Sequence, residues 1–342
     1  MKKKTRNIFI AVVGCVVIAA AVMAWGIHAT LAPAFELSEE AYIYVRPATT
    51  EDDILQQLRD VAHARSLVGW NLLRLVMDFK PQTGRYAVHP DESVLAVLRK
   101  IRNHQQEPVR LTLPSVRRLR RLASILGQQL MMDSTEVADA FADSAFATRW
   151  GYTTATLPAL FIPDTYEVYW DMSLDTFMKR MQRENAAFWS HKGRAEAAKA
   201  LGMSREEVVT LASIVAEETN YTPEKPRIAG VYLNRLHRGI PLQADPTVKF
   251  ATGDDALRRI RGEHLRTQSP YNTYIYRGLP PGPIRIPSAE SIDAVLHAEH
   301  HNFLFFCARE DFSGSHRFAA TYPEHMQNAR RYQRALNERG IR

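Results

Sequence analysis

Two adjacent carboxylates, Glu217 and Glu218, close the stretch LASIVAEETN at residues 211–220. A carboxyl group can serve as a general acid near neutral pH only if its surroundings raise its pKa. Ser204-Arg205-Glu206-Glu207 fits a capping box and starts a helix. From there Val208, Leu211, Ala212 and Val215 follow the i, i+3, i+4, i+7 pattern of a buried stripe. Three residues further the stripe reaches Glu218, which is expected at the edge of the apolar face, beside the helix C-terminus. Partial desolvation and the negative end of the helix dipole both disfavour its anion there. Glu217 falls on nearly the opposite face and is expected to be solvated. A surface glutamate in a last helical turn fits the same stretch, and the stretch by itself leaves the two readings open.

Further polar groups follow. Thr222-Pro223 is expected to open a second helix that Gly239 stops, with Ile228, Tyr232 and Leu236 on one face and Asn234 and Arg235 beside it. PLQADPTVKF at 241–250, if extended, turns Gln243, Asp245 and Thr247 to one side and Leu242, Ala244 and Val248 to the other. Such a row suits a ligand rich in hydroxyls and amides. It also suits the solvent face of an edge strand, where Pro246 is tolerated. Tyr271-Asn272-Thr273-Tyr274 places aromatic faces beside amide and hydroxyl groups. Gly278-Leu279-Pro280-Pro281-Gly282-Pro283-Ile284 reads as a stiff loop fit for the wall of a groove. His316 and His325 lack a cysteine or paired-carboxylate motif nearby, so they read as structural or substrate-binding; no metal and no cofactor is expected.

The elements that must position these groups lie in a chain of 342 residues, enough for two or three domains. Lys2, Lys3, Lys4 and Arg6 precede an uncharged apolar run from Ile8 to Ile27, long enough to cross a bilayer as one helix. The basic flank predicts a cytoplasmic tail at 1–7, a transmembrane helix at 8–28 and everything later outside the cytoplasmic (inner) membrane. A cleaved signal peptide is the alternative, with Ala32-Pro33-Ala34 as its site. The net charge of +7 favours anionic partners, but an extracytoplasmic body argues against nucleic acid. Cys15 and Cys307 stand in unlike contexts, which argues against a disulfide.

Residues 36–129 read as a small module. Tyr42–Val45 alternates as a strand, and Thr50-Glu51-Asp52-Asp53 resembles a capping box ahead of Ile54, Leu55 and Leu58. Strand, turn and helix recur at 84–88, 89–91 and 93–101. The grammar resembles the LysM-like glycan-binding fold. Basic residues gather in its second half (Arg99, Lys100, Arg102, Arg110, Arg117, Arg118, Arg120, Arg121) as solvated faces or as a docking face for an anionic polymer or membrane. Residues 130–203 look helical apart from the aromatic-rich 157–170, most of whose rings are expected in a core. The fold class is therefore α+β, with 130–342 as the second domain.

ASIVAEET, IAGVYLNRL, PLQADPTV, PYNTY and GLPPGPI, in this order and spacing, together with FIPDTY at 161–166 and DFSGSHRF at 311–318, resemble the endolytic murein transglycosylases of the MltG (YceG-like) family. The resemblance spans roughly residues 40–335. It implies a membrane-anchored lytic transglycosylase that cleaves the MurNAc-β-1,4-GlcNAc bond of nascent peptidoglycan with 1,6-anhydroMurNAc formation and so terminates glycan elongation. It places the catalytic acid/base at Glu218 and substrate contacts at Gln243, Asp245, Thr247, Tyr271, Asn272 and Asn234. The partners implied are peptidoglycan strands and peptidoglycan synthases (penicillin-binding proteins). The chain departs from the family pattern at Ala216, where relatives often carry another acid, at Pro158-Ala159 and at Phe250. Two rivals share the residues: a lysozyme-type hydrolase using Glu218 and Asp245, and a non-catalytic glycan-binding scaffold.

Overall fold

The computed structural model describes residues 2–257 and 259–340. Met1 of the expected tail and Arg258, Ile341 and Arg342 of the expected second domain lie outside them. The chain divides into two units, residues 1–111 with 129–131 and 167–172, and residues 112–128, 132–166 and 173–342.

The first unit opens with helix α1 (Lys2–Leu31). Its apolar side chains are exposed, with Phe9 at 69% and Met23 at 66%, and among the described residues it is the one helix long and apolar enough to cross a membrane. Strand β1 (Ala41–Val45) leads to α2 (Glu51–Asp60), whose N-cap Thr50 and Asp53 complete the expected capping box. Helix α3 (Val68–Arg74), strand β2 (Gly84–Val88) and helix α4 (Val94–Arg102) follow, and strand β3 (Val109–Leu113) straddles the boundary after residue 111. β1 and β2 pair antiparallel, Ile43 opposite Tyr86. Ile43, Ile54, Leu58, Tyr86, Leu98 and Ile101 bury completely between this hairpin and the helices.

The second unit contains α5 (Leu119–Gln129), α6 (Ser134–Ala142), α7 (Ser144–Arg149), strand β4 (Asp164–Val168), α8 (Leu174–Ser190) and α9 (Arg194–Ala200). Then come α10 (Arg205–Glu218), α11 (Lys225–His237), α12 (Asp245–Thr252), α13 (Ala289–Leu296), the antiparallel hairpin β5 (Phe305–Ala308) and β6 (His316–Ala319), and α14 (Tyr322–Glu338). The mixture is α+β. Its centre is α10, whose residues 208–215 are all buried, packed among α11, α13 and the 3₁₀ turn Leu157–Leu160.

Three expectations change. PLQADPTVKF is not a strand: residues 241–244 are irregular and α12 begins at Asp245, with Pro246 in its first turn. Proline there gives up no helical hydrogen bond and its fixed φ suits a helix start, which outweighs an alternation only a few residues long. Thr222–Glu224 form a 3₁₀ turn, and the α-helix proper starts at Lys225 with Pro226 in its first turn. Glu217 is not solvated; its side chain is 8% exposed. Arg117 donates from Nε and Nη2 to its two oxygens at 2.9 and 2.5 Å, and Arg285 adds a bond at 2.8 Å. Helical periodicity records only the apolar neighbours of a residue, and these two arginines cover the other side.

Candidate active site

Glu218 is the last residue of α10. The buried stripe below it fixes its direction. Ser213, wholly buried one turn earlier, donates to the Thr210 carbonyl and accepts from the Ile284 amide at 3.0 Å. This bond moors the proline-rich loop to α10. Gly282 is required there, because a Cβ would stand 2.0 Å from the Ala155 carbonyl oxygen. The loop packs on the core and lines neither cavity at Glu218; its Pro283 instead lines a separate cavity with Arg117, Phe250 and Tyr271.

The Glu218 carboxyl is held from α11. Tyr232, 2% exposed, donates its hydroxyl to Glu218 Oε1 at 2.5 Å and stands edge-on to Phe306. Burial pushes the Glu218 carboxyl from its ordinary 4.5 up to about 7. The Tyr232 hydrogen bond opposes this rise, and the charges of Asp245 and Glu217 add to it. Tyr232 is itself pushed well above the ordinary phenol value by burial and by Glu218, so it stays a donor.

Glu218 lines two cavities. One, of about 330 Å³, it shares with Tyr232, Gln243, Asp245, Tyr274 and His325. The other, of about 610 Å³, lies against Tyr221, Arg309, Phe312, Ser313, His316 and Tyr332. In the first, Tyr274 donates to Asp245 Oδ1 at 2.7 Å. Arg235 spreads its guanidinium over the Pro241 and Leu304 carbonyls, both at 2.9 Å, and Gln243 Oε1 at 2.5 Å. Gln243, whose amide donates to the Thr273 carbonyl at 3.1 Å, has a φ of +52°, a left-handed conformation that non-glycine residues rarely adopt. His325 stacks on Phe305, and its pKa is lowered by burial and by Arg235, which keeps the imidazole neutral. In the second cavity His316 is tied to Glu224 at 2.9 Å.

Of the residues expected at the site, Glu218, Gln243 and Asp245 come together around one cavity. The others do not join them. Thr247 is fully buried and bonds the Ala244 carbonyl and Thr273, closing the turn into α12. Asn272 is fully buried and donates to the Leu265 and Thr267 carbonyls. Asn234 donates to the His301 and Phe303 carbonyls. Tyr271 packs on Phe250, ring centres 4.7 Å apart, beside a separate cavity with Arg117 and Arg118. Three amide or hydroxyl side chains expected at a ligand, Asn234, Thr247 and Asn272, thus serve backbone groups. Tyr232 was not expected at the site, whereas Tyr274, from the expected aromatic stretch, and His316 and His325, read as structural or substrate-binding, line the two cavities with it. Tyr232 did carry a signal, since a phenol on an apolar stripe needs a buried partner for its hydroxyl.

Fold and site together define an α+β protein with one half-buried acid between two cavities of aromatic and hydrogen-bonding side chains. A model of the YceG-like family matches residues 43–331, and the chain belongs to that family. It is similar to an endolytic murein transglycosylase of Bacillus subtilis, 34% identical over 170 residues, covering 49% of this chain and 46% of that protein. It is also similar to one of Streptococcus pneumoniae, 31% identical over 134 residues, covering 38% and 24%. The matched stretch is thus less than half the length of these curated relatives. A YceG-like protein of Listeria monocytogenes shares the fold, with a TM-score of 0.58 at 23% identity, over 85% of this chain and 99% of that one.

Proposed function

We propose that the chain is a membrane-anchored endolytic lytic transglycosylase of peptidoglycan. The observation that carries this reading is Glu218, a single proton-bearing carboxyl at the junction of two cavities. A glycan running through both cavities presents one glycosidic oxygen to it. Glu218 protonates that oxygen, and the C1–O bond breaks toward an oxocarbenium-like state. The carboxylate then takes the proton from the C6 hydroxyl of the same muramic acid, whose oxygen closes onto C1. One group makes both transfers and no water enters, unlike hydrolysis with two carboxylates. The closure is intramolecular, so holding the sugar contributes much of the rate. Asp245 and Gln243 face the same cavity, where the anion of Asp245 suits the developing positive charge. The relatives named above, both endolytic murein transglycosylases, support the reading.

The same reading includes α1 as an uncleaved anchor with its N-terminus in the cytoplasm, a LysM-like glycan-binding role for residues 36–129, a catalytic domain at 130–342, and peptidoglycan synthases as partners. A second reading rests on Asp245: a lysozyme-type hydrolase with Asp245 as the second carboxylate. The test is a digest of purified peptidoglycan by the detergent-solubilised full chain and by Glu218→Gln, with fragment ends read by mass spectrometry. Anhydro-muramic ends from the wild type, lost in the variant, are expected. Reducing ends would establish the hydrolase instead, and glycan binding without cleavage the scaffold.

A further inference from the structure

Helix α3 runs down the side of α1. Gly69 lies against the backbone of Ala29, where a Cβ would sit 2.1 Å from the carbonyl oxygen, and a Cβ on Gly26 would stand 3.6 Å from Leu72 Cδ1. Three residues forward on α3 are three residues back on α1, so the two helices are antiparallel and α3 points toward the middle of α1. Beyond Leu72 the chain continues through Arg74 into a turn whose apex is Leu75 and Val76, 81% and 80% exposed. It then returns, with Met77 and Phe79 packed on the core of the unit. At 1.5 Å per residue the apex stands level with about Met23, roughly 6 Å inside the Ile27 end of the apolar run.

We propose that the α3 turn is a second membrane contact, seated in the outer face of the same bilayer that α1 crosses, with Leu75 and Val76 in the hydrocarbon. This rests on the reading of α1 as an anchor. The depth of Met23 in a hydrocarbon core about 30 Å thick fixes the occupant as lipid. The charge pattern agrees. Arg74 is drawn back to Glu51 at 3.0 Å, and Asp78 and Lys80 pair with each other at 3.2 Å on the returning limb, so the charges flanking the apex are paired. Trp25, exposed on α1 near the same level, suits an interfacial aromatic. Two attachments spaced around one axis restrain how the first unit tilts against the bilayer, which a lone helix does not.

The test places a nitroxide at Leu75→Cys, Val76→Cys, Met23→Cys or Asn103→Cys, each in the full chain with Cys15→Ser and Cys307→Ser, in vesicles of phosphatidylethanolamine and phosphatidylglycerol. Collision with oxygen reports lipid, and collision with a water-soluble nickel chelate reports solvent. Labels at 75 and 76 are expected to lose nickel accessibility to the level of the label at 23, while the label at 103 keeps it. A lipid-protected label at 23 with solvent-exposed labels at 75 and 76 overturns this inference and leaves the anchor standing. A solvent-exposed label at 23 overturns both.

Discussion

At the scale of single residues the arrangement turns on the proton of Glu218. Its carboxyl must be neutral to protonate a leaving oxygen, so with its pKa raised to about 7 activity is expected to fall as pH rises through that value. A pH–rate profile of glycan cleavage checks this. Tyr232→Phe removes the one interaction that lowers the Glu218 pKa, so the alkaline limb is expected to move to higher pH, with a modest loss of rate from looser positioning. An unmoved limb would mean that Tyr232 serves only the core. Glu218→Gln is expected to cost roughly 10²–10⁴-fold in rate while stabilising the fold in a definite pH window. Below about pH 4.5 the carboxyl is neutral in both folded and unfolded chains. From there to about 7 only the unfolded chain ionises, so the wild type loses stability as pH rises. The full loss is roughly 3 kcal/mol from a displacement of 4.5 to about 7. Melting curves of both proteins at pH 4 and pH 8 are expected to diverge at the higher pH, in favour of the variant.

At the scale of elements the C-terminus of α10 is clamped by charge. Glu217 is bound by Arg117, just before α5, and by Arg285, beyond the proline-rich loop. Removing both arginines strands a buried carboxylate. Arg117→Met with Arg285→Met is expected to cost roughly 3–5 kcal/mol, and adding Glu217→Met to recover most of it, measured by denaturant unfolding. Ser213→Ala leaves the Ile284 amide without its acceptor and is expected to cost about 1–3 kcal/mol. Both changes act on the base from which Glu218 projects, so a fall in cleavage should accompany them.

At the scale of the whole molecule the exposed apolar helix α1 and the net charge of +7 make different predictions about membranes. An integral helix resists salt and alkaline carbonate and yields to detergent, whereas attachment through basic residues is screened by salt. The full chain is expected to stay in the membrane pellet under high salt and leave it only with detergent. Release by salt would mean that the basic faces hold the chain. Several of those basic residues are already engaged: Lys100 with Glu92, Arg117 with Glu217 and Arg118 with Asp255.

The residue order by itself determined the parts that depend on near neighbours. The apolar run of α1, the caps at Thr50 and Ser204, the β1 and β2 strands and the buried stripe of α10 all follow from periodicity and capping within a few residues. Glu218 emerged the same way, because three steps along a helix carry a stripe to its edge. Only the tertiary structure decided what stands opposite. Glu217 is buried because Arg117 and Arg285 arrive from 100 and 68 residues away. Asn234, Thr247 and Asn272 turned inward to backbone carbonyls, since buried carbonyls in irregular segments need donors and amide or hydroxyl side chains supply them. Tyr232 meets Glu218 across two helices. Long-range partners leave no period in a sequence, so the acid was legible and its surroundings were not.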